Sequence, residues 1–366
     1  MNMMWAFVFF ALPLLGCAYI GWHVWQILPL AAVWRTLVVS RMLAAFSCLF
    51  LMFFGGVDRM PMPLATAVYV TGTSSLMIAL YLVMTFLVLD LGRLMRLVPR
   101  HWLHDSLPGT LGIAAFILLL FVYGNWRYQH KVRQPLALKS EKPVGRPLRI
   151  VMMSDLHLGY HNQVDEFRRW VELVNAEQPD LILIAGDIID MNMRPLIEQH
   201  VADVFRQLKA PVYACLGNHE YFAAHGGGYT PEDFYRDAGI TLLRDTSIVF
   251  DNRLTIIGRD DRMAVNRKSV AELVREADRS KYVILLDHQP YHLERAEKAG
   301  VDFQLSGHTH YGQVWPISWI TRAVYECAFG DYQRGSTRYY VTSGIDIWGG
   351  KFRIGTRSEY VVATLE

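Results

Sequence analysis

The sequence predicts two structural classes in one chain: an all-α region of about four membrane-spanning helices over residues 1–125, and an α/β domain over residues 149–366. Two observations carry this prediction. Apolar residues are concentrated in the first 125 positions, in runs long enough to cross a bilayer as helices. In the rest of the chain, short apolar runs rich in β-branched residues alternate with helical patterns, which is typical of α/β folds.

Four apolar runs make up the first region, and each is near the roughly 17–25 residues that a transmembrane helix requires. They cover residues 5–30, 37–54, 65–89 and 107–123. A cleaved signal peptide would contribute a single short apolar run, so four runs favour a multi-pass anchor. The polar residues His23 and Asp90 lie near predicted span ends, and no chain of charges runs through the spans, which argues against a transporter.

A basic, proline-containing segment, residues 126–148, follows the last run and is predicted to be an extended linker. Its lysines and arginines either lie against anionic lipid headgroups or are simply solvated. The positive-inside rule is nearly balanced, because Arg35, Arg41 and Arg93 would face the side opposite to this segment. Arg59 and the basic segment tip the balance towards a second domain that faces the cytoplasm.

Five short apolar runs in the second region are predicted to be buried strands, and each ends in polar residues. The runs cover residues 149–153, 181–185, 212–216, 282–286 and 301–305. The polar residues after them include Asp155, His157, Asp187, Asn218, His219, His288, His308 and His310. Ligands of α/β folds gather beyond the carboxyl ends of the strands, so we expect these side chains to converge.

The residue types in this set indicate a metal site of a particular kind. An isolated histidine or aspartate is usually structural, but that does not explain seven candidate ligands at successive strand ends. Oxygen and imidazole donors without a thiolate favour Mn, Fe or Zn ions. None of the four cysteines has CxxC spacing, so we predict neither a disulfide framework nor a cysteine zinc site. One carboxylate can bridge two ions about 3.5–4 Å apart, and such a pair can clamp a phosphoryl group.

Five short motifs follow one another along the chain over about residues 149–366. They are Asp155-x-His157, Gly186-Asp187, Gly217-Asn218-His219-Glu220, His288 and Gly307-His308-x-His310. This set resembles the calcineurin-like metallophosphoesterase superfamily. The resemblance implies a β-sandwich flanked by helices (α/β/β/α), two divalent metal ions and the hydrolysis of phosphoric esters.

The resemblance also implies a role for each of these residues. One ion would be held by Asp155, His157 and His310. The other ion would be held by Asn218, His288 and His308. Asp187 would bridge the two ions, and His219 would approach the leaving-group oxygen as an acid or stabiliser without binding metal.

The amino-acid sequence of residues 154–159 and 307–313 is similar to that of bacterial membrane-associated phosphoesterases. Some of these enzymes act on simple phosphodiesters, and others act on UDP-diacylglucosamine. This similarity implies a multi-pass protein of the bacterial plasma (inner) membrane. Tyr311 departs from the usual pattern, which has glycine at this position. The apolar segment 314–320 that follows either dips into the membrane surface to admit a lipid or packs inside the domain.

Three arginines, Arg259, Arg262 and Arg267, are candidates for substrate binding because a guanidinium group pairs with phosphate through two parallel hydrogen bonds. The alternative is that they form solvated pairs with the neighbouring Asp260 and Asp261.

The predicted function is hydrolysis of a phosphoester or pyrophosphate bond in a lipid-linked or small phosphoester substrate, at the membrane bilayer. A nucleotide or nucleic-acid phosphodiesterase is the alternative enzyme. With 36 Lys+Arg against 34 Asp+Glu and no basic stripe lined by aromatic residues, no nucleic-acid partner is expected. A non-catalytic membrane protein with a degenerate phosphoesterase fold is the third possibility, and the complete ligand set argues against it.

Overall fold

A computed structural model describes residues 11–54, 56–224 and 228–366. The chain divides into two compact units. The first comprises the residues up to 125 together with 349–351, and the second comprises residues 126–348 and 352–366.

In its described residues the first unit contains four apolar helices, as expected for segments without a polar face. They are α1 (Leu12–Ile27), α2 (Ala32–Phe53), α3 (Met62–Leu94) and α4 (Leu107–Gln129). Within the described residues, three helices rather than the predicted four are long and apolar enough to span a membrane, namely α2, α3 and α4. The described part of the first run, residues 11–30, contains the 16-residue helix α1, and the start of that run, residues 5–10, lies outside the described residues.

The two polar residues of the apolar runs bind each other inside the first unit. His23 Nε2 lies 3.0 Å from Asp90 Oδ2, and the Tyr19 hydroxyl donates to the same oxygen at 2.8 Å. The His23 ring also stacks on Phe86, with ring centroids 4.5 Å apart. These contacts join α1 to α3, so the polar groups are explained as an internal helix–helix contact.

The second unit contains two six-stranded sheets. The strand order of the first sheet is β1-β12-β2-β3-β4-β5. Its strands are β1 (Val132–Leu138), β2 (Leu148–Met153), β3 (Leu181–Ala185), β4 (Val212–Cys215), β5 (Ile240–Leu242) and β12 (Glu359–Leu365). The order of the second sheet is β10-β11-β9-β8-β7-β6. Its strands are β6 (Thr246–Phe250), β7 (Leu254–Gly258), β8 (Tyr282–Leu286), β9 (Phe303–Ser306), β10 (Gly330–Arg334) and β11 (Thr337–Val341).

Helices follow or connect these strands. They are α5 (Val164–Ala176), α6 (Arg194–Glu198), α7 (Val201–Phe205), α8 (Asn218–Ala223), α9 (Pro231–Asp237), α10 (Val270–Glu276), α11 (Glu294–Ala299) and α12 (Ile317–Val324).

The central strands are buried on both faces, which produces a layered sandwich. Successive side chains of a strand point to opposite faces. In β2, Val151 and Met153 join the core that packs against the helices of the first sheet, whereas Ile150 and Met152 join the core between the sheets. A third core lies between the second sheet and its helices. The predicted α/β/β/α architecture is therefore confirmed.

The segment 126–148 is not the extended linker that its prolines and charges predict. Residues 126–129 complete α4, and residues 132–138 form β1, which pairs in parallel with β12 from Val132↔Glu359 to Leu138↔Leu365. Leu136 and Leu138 are buried. The folded unit thus begins at residue 126 rather than 149, because pairing with a strand more than 200 positions away outweighs the local composition.

Candidate dinuclear metal centre

The carboxyl ends of five strands carry the candidate ligands. β2, β3 and β4 run parallel in the first sheet, and β8 and β9 run parallel in the second, so within each sheet these ends meet at one edge. The candidate ligands stand two to four residues beyond the strand ends: Asp155 and His157 after β2, Asp187 after β3, Asn218 after β4, His288 after β8, and His308 and His310 after β9.

A first group of ligands consists of Asp155, His157 and His310. The Nε2 atoms of the two histidines are 3.1 Å apart. Asp155 Oδ1 lies 3.9 Å from Nε2 of His157 and 3.5 Å from Nε2 of His310. Three donor atoms so close together, from side chains that are mostly buried, form a site for one cation.

A second group is formed by Asp187, His288 and His308, whose ligand atoms lie within 4.8 Å of one another. Asp187 Oδ2 is 3.0 Å from Nε2 of His288 and 3.8 Å from Nε2 of His157. One carboxylate oxygen therefore faces both groups, which is the position that a bridging ligand must take.

The electrostatics of the described residues fit two bound cations. The buried Oδ1 atom of Asn218 has no hydrogen-bond partner among them, and such an unsatisfied acceptor costs about 1–3 kcal/mol. Burial raises the pKa of the Asp155 carboxyl, against the opposing charge of His288. Burial lowers the pKa of His308 to about 3, so this imidazole is neutral, which is the form that binds metal. The unpaired acceptor of Asn218, the two buried carboxylates and the neutral imidazole of His308 together suit divalent ions.

Backbone strain marks the same residues. Asp155, His157, Asp187, His308 and His310 all have positive φ, between 41° and 68°. Non-glycine residues rarely adopt this conformation, and it persists only where surrounding contacts enforce it. Strain of this kind clusters at functional sites, which supports the interpretation of these five residues as ligands.

The loop that carries Asp187 is held by a buried carboxylate. Glu220 accepts hydrogen bonds from the backbone amides of Asp187 at 3.1 Å, Ile188 at 2.7 Å and Ile189 at 3.0 Å. A Cβ atom on Gly217 would clash with the Asp187 carboxylate, so this position requires glycine for close approach.

His219 lies beside the ligands without belonging to the predicted metal set. Its backbone amide donates to Asp187 Oδ1 at 2.9 Å, and its ring contacts that of His157 with centroids 4.5 Å apart. Burial lowers the pKa of His219, but the carboxylates of Asp187 and Asp190 raise it by more, to about 9. The imidazole is therefore protonated at neutral pH and suits a proton donor.

Asp190 lies beside the candidate ligands, and the sequence analysis missed it. Its Oδ1 atom lies 3.5 Å from Nδ1 of His157 and 3.3 Å from Nδ1 of His219. The carboxylate thus lies close to a candidate ligand and to His219 at the same time, in each case near the Nδ1 atom. The only sequence signal was a second aspartate three positions after Asp187.

The three predicted substrate arginines fall in different environments. Arg259 Nη1 lies 3.0 Å from Asp287 Oδ2, and Arg267 pairs with the other oxygen of the same carboxylate. Both guanidinium groups are largely buried and support the residue before His288, which favours a positioning role.

Arg262 is exposed, and its guanidinium carbon lies 4.1 Å from the centroid of the Tyr291 ring. The hydroxyls of Tyr291 and Tyr325 are 2.9 Å apart, and the Tyr325 ring centroid is 6.4 Å from that of His308. A chain of contacts thus connects this arginine to the ligands. Substrate binding by the three arginines remains a prediction.

The apolar segment 314–320 is divided between inside and outside. Val314 is buried, but Trp315 is 38% exposed, and three residues of α12 are more exposed still. Trp319 is 61% exposed, and Ile320 and Val324 are each 58% exposed. Packing inside the domain therefore accounts for only part of the segment, and α12 presents an apolar face to its surroundings.

Comparison with known proteins identifies the family of this chain. Residues 148–312 match the family described as calcineurin-like phosphoesterase. An uncharacterized metallophosphoesterase of Aquifex aeolicus is 32% identical over 259 residues, covering 68% of this chain and 97% of that protein. One from Campylobacter jejuni is 30% identical over 263 residues, covering 69% of each.

A Danio rerio protein named transmembrane protein with metallophosphoesterase domain is 29% identical over 264 residues, covering 66% of this chain and 59% of that protein. The three candidate spans agree with such relatives and indicate a membrane protein. The chain, with its strand-end ligands, belongs to the calcineurin-like metallophosphoesterase family.

Proposed function

We propose that this membrane protein is a metal-dependent phosphoric ester hydrolase that cleaves a phosphoester or pyrophosphate bond in a lipid-linked substrate, such as a UDP-diacylglucosamine-like molecule. The observation that carries the hydrolytic part is the position of Asp187 Oδ2, which faces His157 at 3.8 Å and His288 at 3.0 Å. Family membership and the convergence of six of the seven candidate ligands support it.

The hydrolase would bind two divalent ions of Mn, Fe or Zn. Asp155, His157 and His310 would hold one, and Asn218, His288 and His308 the other, with Asp187 between them. When bound, the ions supply Lewis acidity towards the phosphoryl oxygens and the attacking water.

His219 provides the proton that the leaving group needs. Its Nδ1 atom lies 2.8 Å from the Asp190 backbone carbonyl, which only accepts hydrogen bonds, so Nδ1 carries a hydrogen. The exchangeable proton therefore sits on Nε2. Donation from Nε2 to the leaving oxygen neutralises the charge that develops as the ester bond breaks.

The exposed apolar face of α12 supports the lipid part of the proposal. The rings of Trp315 and Trp319 are in contact, with centroids 5.3 Å apart, and they form one patch with Ile320 and Val324. The helix starts seven residues after His310, so the patch belongs to the segment that leads out of the metal centre. Contiguous exposed apolar groups mark interaction sites, and acyl chains are ligands of matching chemistry.

The polar headgroup of such a substrate would be bound by Arg262 and not by the apolar face of α12. Arg262 stacks on Tyr291 at 4.1 Å, and its exposed guanidinium is able to pair with an anionic group next to the scissile phosphate. We further propose that the protein resides in a bacterial plasma membrane with the second unit facing the cytoplasm.

Hydrolysis of aryl phosphate esters and of a lipid-linked substrate by the purified protein tests this function. We expect Mn²⁺-dependent cleavage of bis-p-nitrophenyl phosphate or of the monoester, abolished by chelator and by Asp187→Ala. UDP-diacylglucosamine should be a better substrate than the same molecule without acyl chains. Retention of activity in Asp187→Ala, or failure of the wild type to bind metal, would refute the enzyme.

Variants of α12 test the lipid part separately. Trp319→Ser with Ile320→Ser should lower kcat/KM on the acylated substrate and leave cleavage of the aryl ester unchanged. Ile197→Ser is the matched control, because Ile197 is also an exposed apolar side chain but lies on α6. If the α12 variant keeps wild-type kcat/KM on the acylated substrate as well as on the aryl ester, α12 does not recognise acyl chains. The proposed hydrolase activity would still stand.

A further inference from the structure

Arg353 is completely buried, with 0% of its surface exposed, and is the largest fully buried side chain of the described residues. A buried guanidinium group is costly unless its donors are satisfied. An arginine is always protonated, so its presence in the interior requires a set of acceptors arranged around it.

Those acceptors come from three segments of the chain. Nη1 donates to the backbone carbonyl of His310 at 2.7 Å. Nη2 donates to the carbonyls of Ser343 at 2.5 Å and Asp346 at 2.7 Å, and Nε donates to Ser358 Oγ at 3.2 Å. The planar fork therefore ties the turn that contains His310 to the loop 343–346.

The turn at His310 needs such an anchor. His308, His310, Tyr311 and Gln313 all have positive φ, at 68°, 46°, 51° and 59°. Four non-glycine residues in this conformation within six positions are intrinsically unfavourable, so tertiary contacts must hold the turn. The hydrogen bond from Arg353 to the His310 carbonyl is a contact of this kind at the centre of the turn.

The loop at the other end of the fork holds Asp155. The amide of Ile345 donates to the Ser154 carbonyl at 3.2 Å, and the amide of Asp346 donates to the Asp155 carbonyl at 3.3 Å. Asp155 itself has a φ of 55°. Arg353 is thus connected to Asp155 through the backbone of Asp346, and it contacts the backbone of His310 directly.

Asp155 and His310 belong to the same candidate metal site. Among its contacts in the described part of the chain, Arg353 makes none with Asn218, His288 or His308, the ligands assigned to the second ion. Its influence on the centre is therefore directed to one of the two ions.

We propose that Arg353 is a positioning residue for the first metal ion, which locks the backbones of His310 and Asp155 into the geometry that binds it. The inference rests on the proposed function only in requiring that two ions bind, and is independent of the substrate. Loss of partners that orient metal ligands typically weakens metal affinity by about 10- to 100-fold.

Metal binding by full-length Arg353→Met and Arg353→Lys tests this role. After removal of metal and titration with Mn²⁺, wild type should bind two ions per chain and show the spin-coupled electron paramagnetic resonance signal of a Mn²⁺ pair. Arg353→Met should bind one ion with wild-type affinity and the other about 10- to 100-fold more weakly, with an uncoupled signal at limiting Mn²⁺. Arg353→Lys should be intermediate, because it keeps the charge without the fork.

Arg334→Met is the matched control. Arg334 lies on β10, where it pairs with Glu297 and Glu326 and touches no candidate ligand, so two ions should bind as in wild type. Unchanged affinity for both ions in folded Arg353→Met, or an equal loss of both, would overturn the proposal. If Arg353→Met does not fold by circular dichroism, Arg353→Lys is judged by the same criteria. A wild type without two ions would instead refute the dinuclear centre.

Discussion

The backbone carbonyl of Asp190 accepts a hydrogen bond from Nδ1 of His219 at 2.8 Å, and the Asp190 carboxylate lies 3.3 Å from the same nitrogen. The carbonyl determines which ring nitrogen carries the fixed hydrogen, and the carboxylate stabilises the protonated ring. One residue thus sets both the tautomer and the charge of the proposed proton donor.

The pH dependence of hydrolysis should report His219. Its pKa is about 9 without metal, and two cations would lower this value. Because the protonated ring is the active form, the rate should fall as pH rises through that pKa. His219→Asn should lower kcat by about 100- to 10,000-fold and remove this limb. A limb that survives in His219→Asn would assign it to another group.

Asp190→Asn should move the same limb to lower pH. The substitution keeps the backbone carbonyl that orients Nδ1 but removes the negative charge that raises the pKa of His219. The pH profiles of kcat for wild type and Asp190→Asn provide the measurement. Identical profiles would show that the carboxylate does not tune the proton donor.

Affinity for the second ion should increase with pH. Burial lowers the pKa of His288, but the carboxylates of Asp187 and Asp155 raise it by more, to well above its usual value. The Nε2 proton must leave before this nitrogen binds an ion, so binding releases a proton and competes with protonation. Calorimetry in buffers of different ionisation enthalpy measures this release, which should diminish in His288→Ala. Affinity that does not change between about pH 6 and 9 would contradict the expectation.

The unpredicted strand β1 should contribute to stability. Leu138 is fully buried between the sheets, so Leu138→Ala should lower the free energy of unfolding by about 2–5 kcal/mol. Lys139→Ala, next to it and exposed, should change it by less than about 0.5 kcal/mol. Denaturant unfolding of the full-length protein in detergent separates the two, and equal effects would mean that segment 132–138 is not a packed strand.

Local sequence patterns and the family resemblance predicted the candidate ligands and their order. Asp155, Asp187 and His288 each stand just beyond a short apolar strand. This pattern is local, because it can be recognised within a few residues of sequence. Parallel strands then bring such positions to one edge, so convergence was predictable without coordinates. The apolar runs likewise predicted a membrane region, although the described part of the first run is shorter than expected.

The polar residues that support the candidate centre, and the contacts through which they do so, became apparent in the tertiary structure alone. Arg259 and Arg267 resembled phosphate-binding residues in sequence, yet both pair with Asp287. Arg353 carried no motif, yet its donors join His310 to a loop 33 or more positions further along the chain. Segment 126–148 looked like a linker, yet it forms β1. In each case the deciding partner is distant in sequence, and a contact that depends on the folded path of the chain leaves no local pattern.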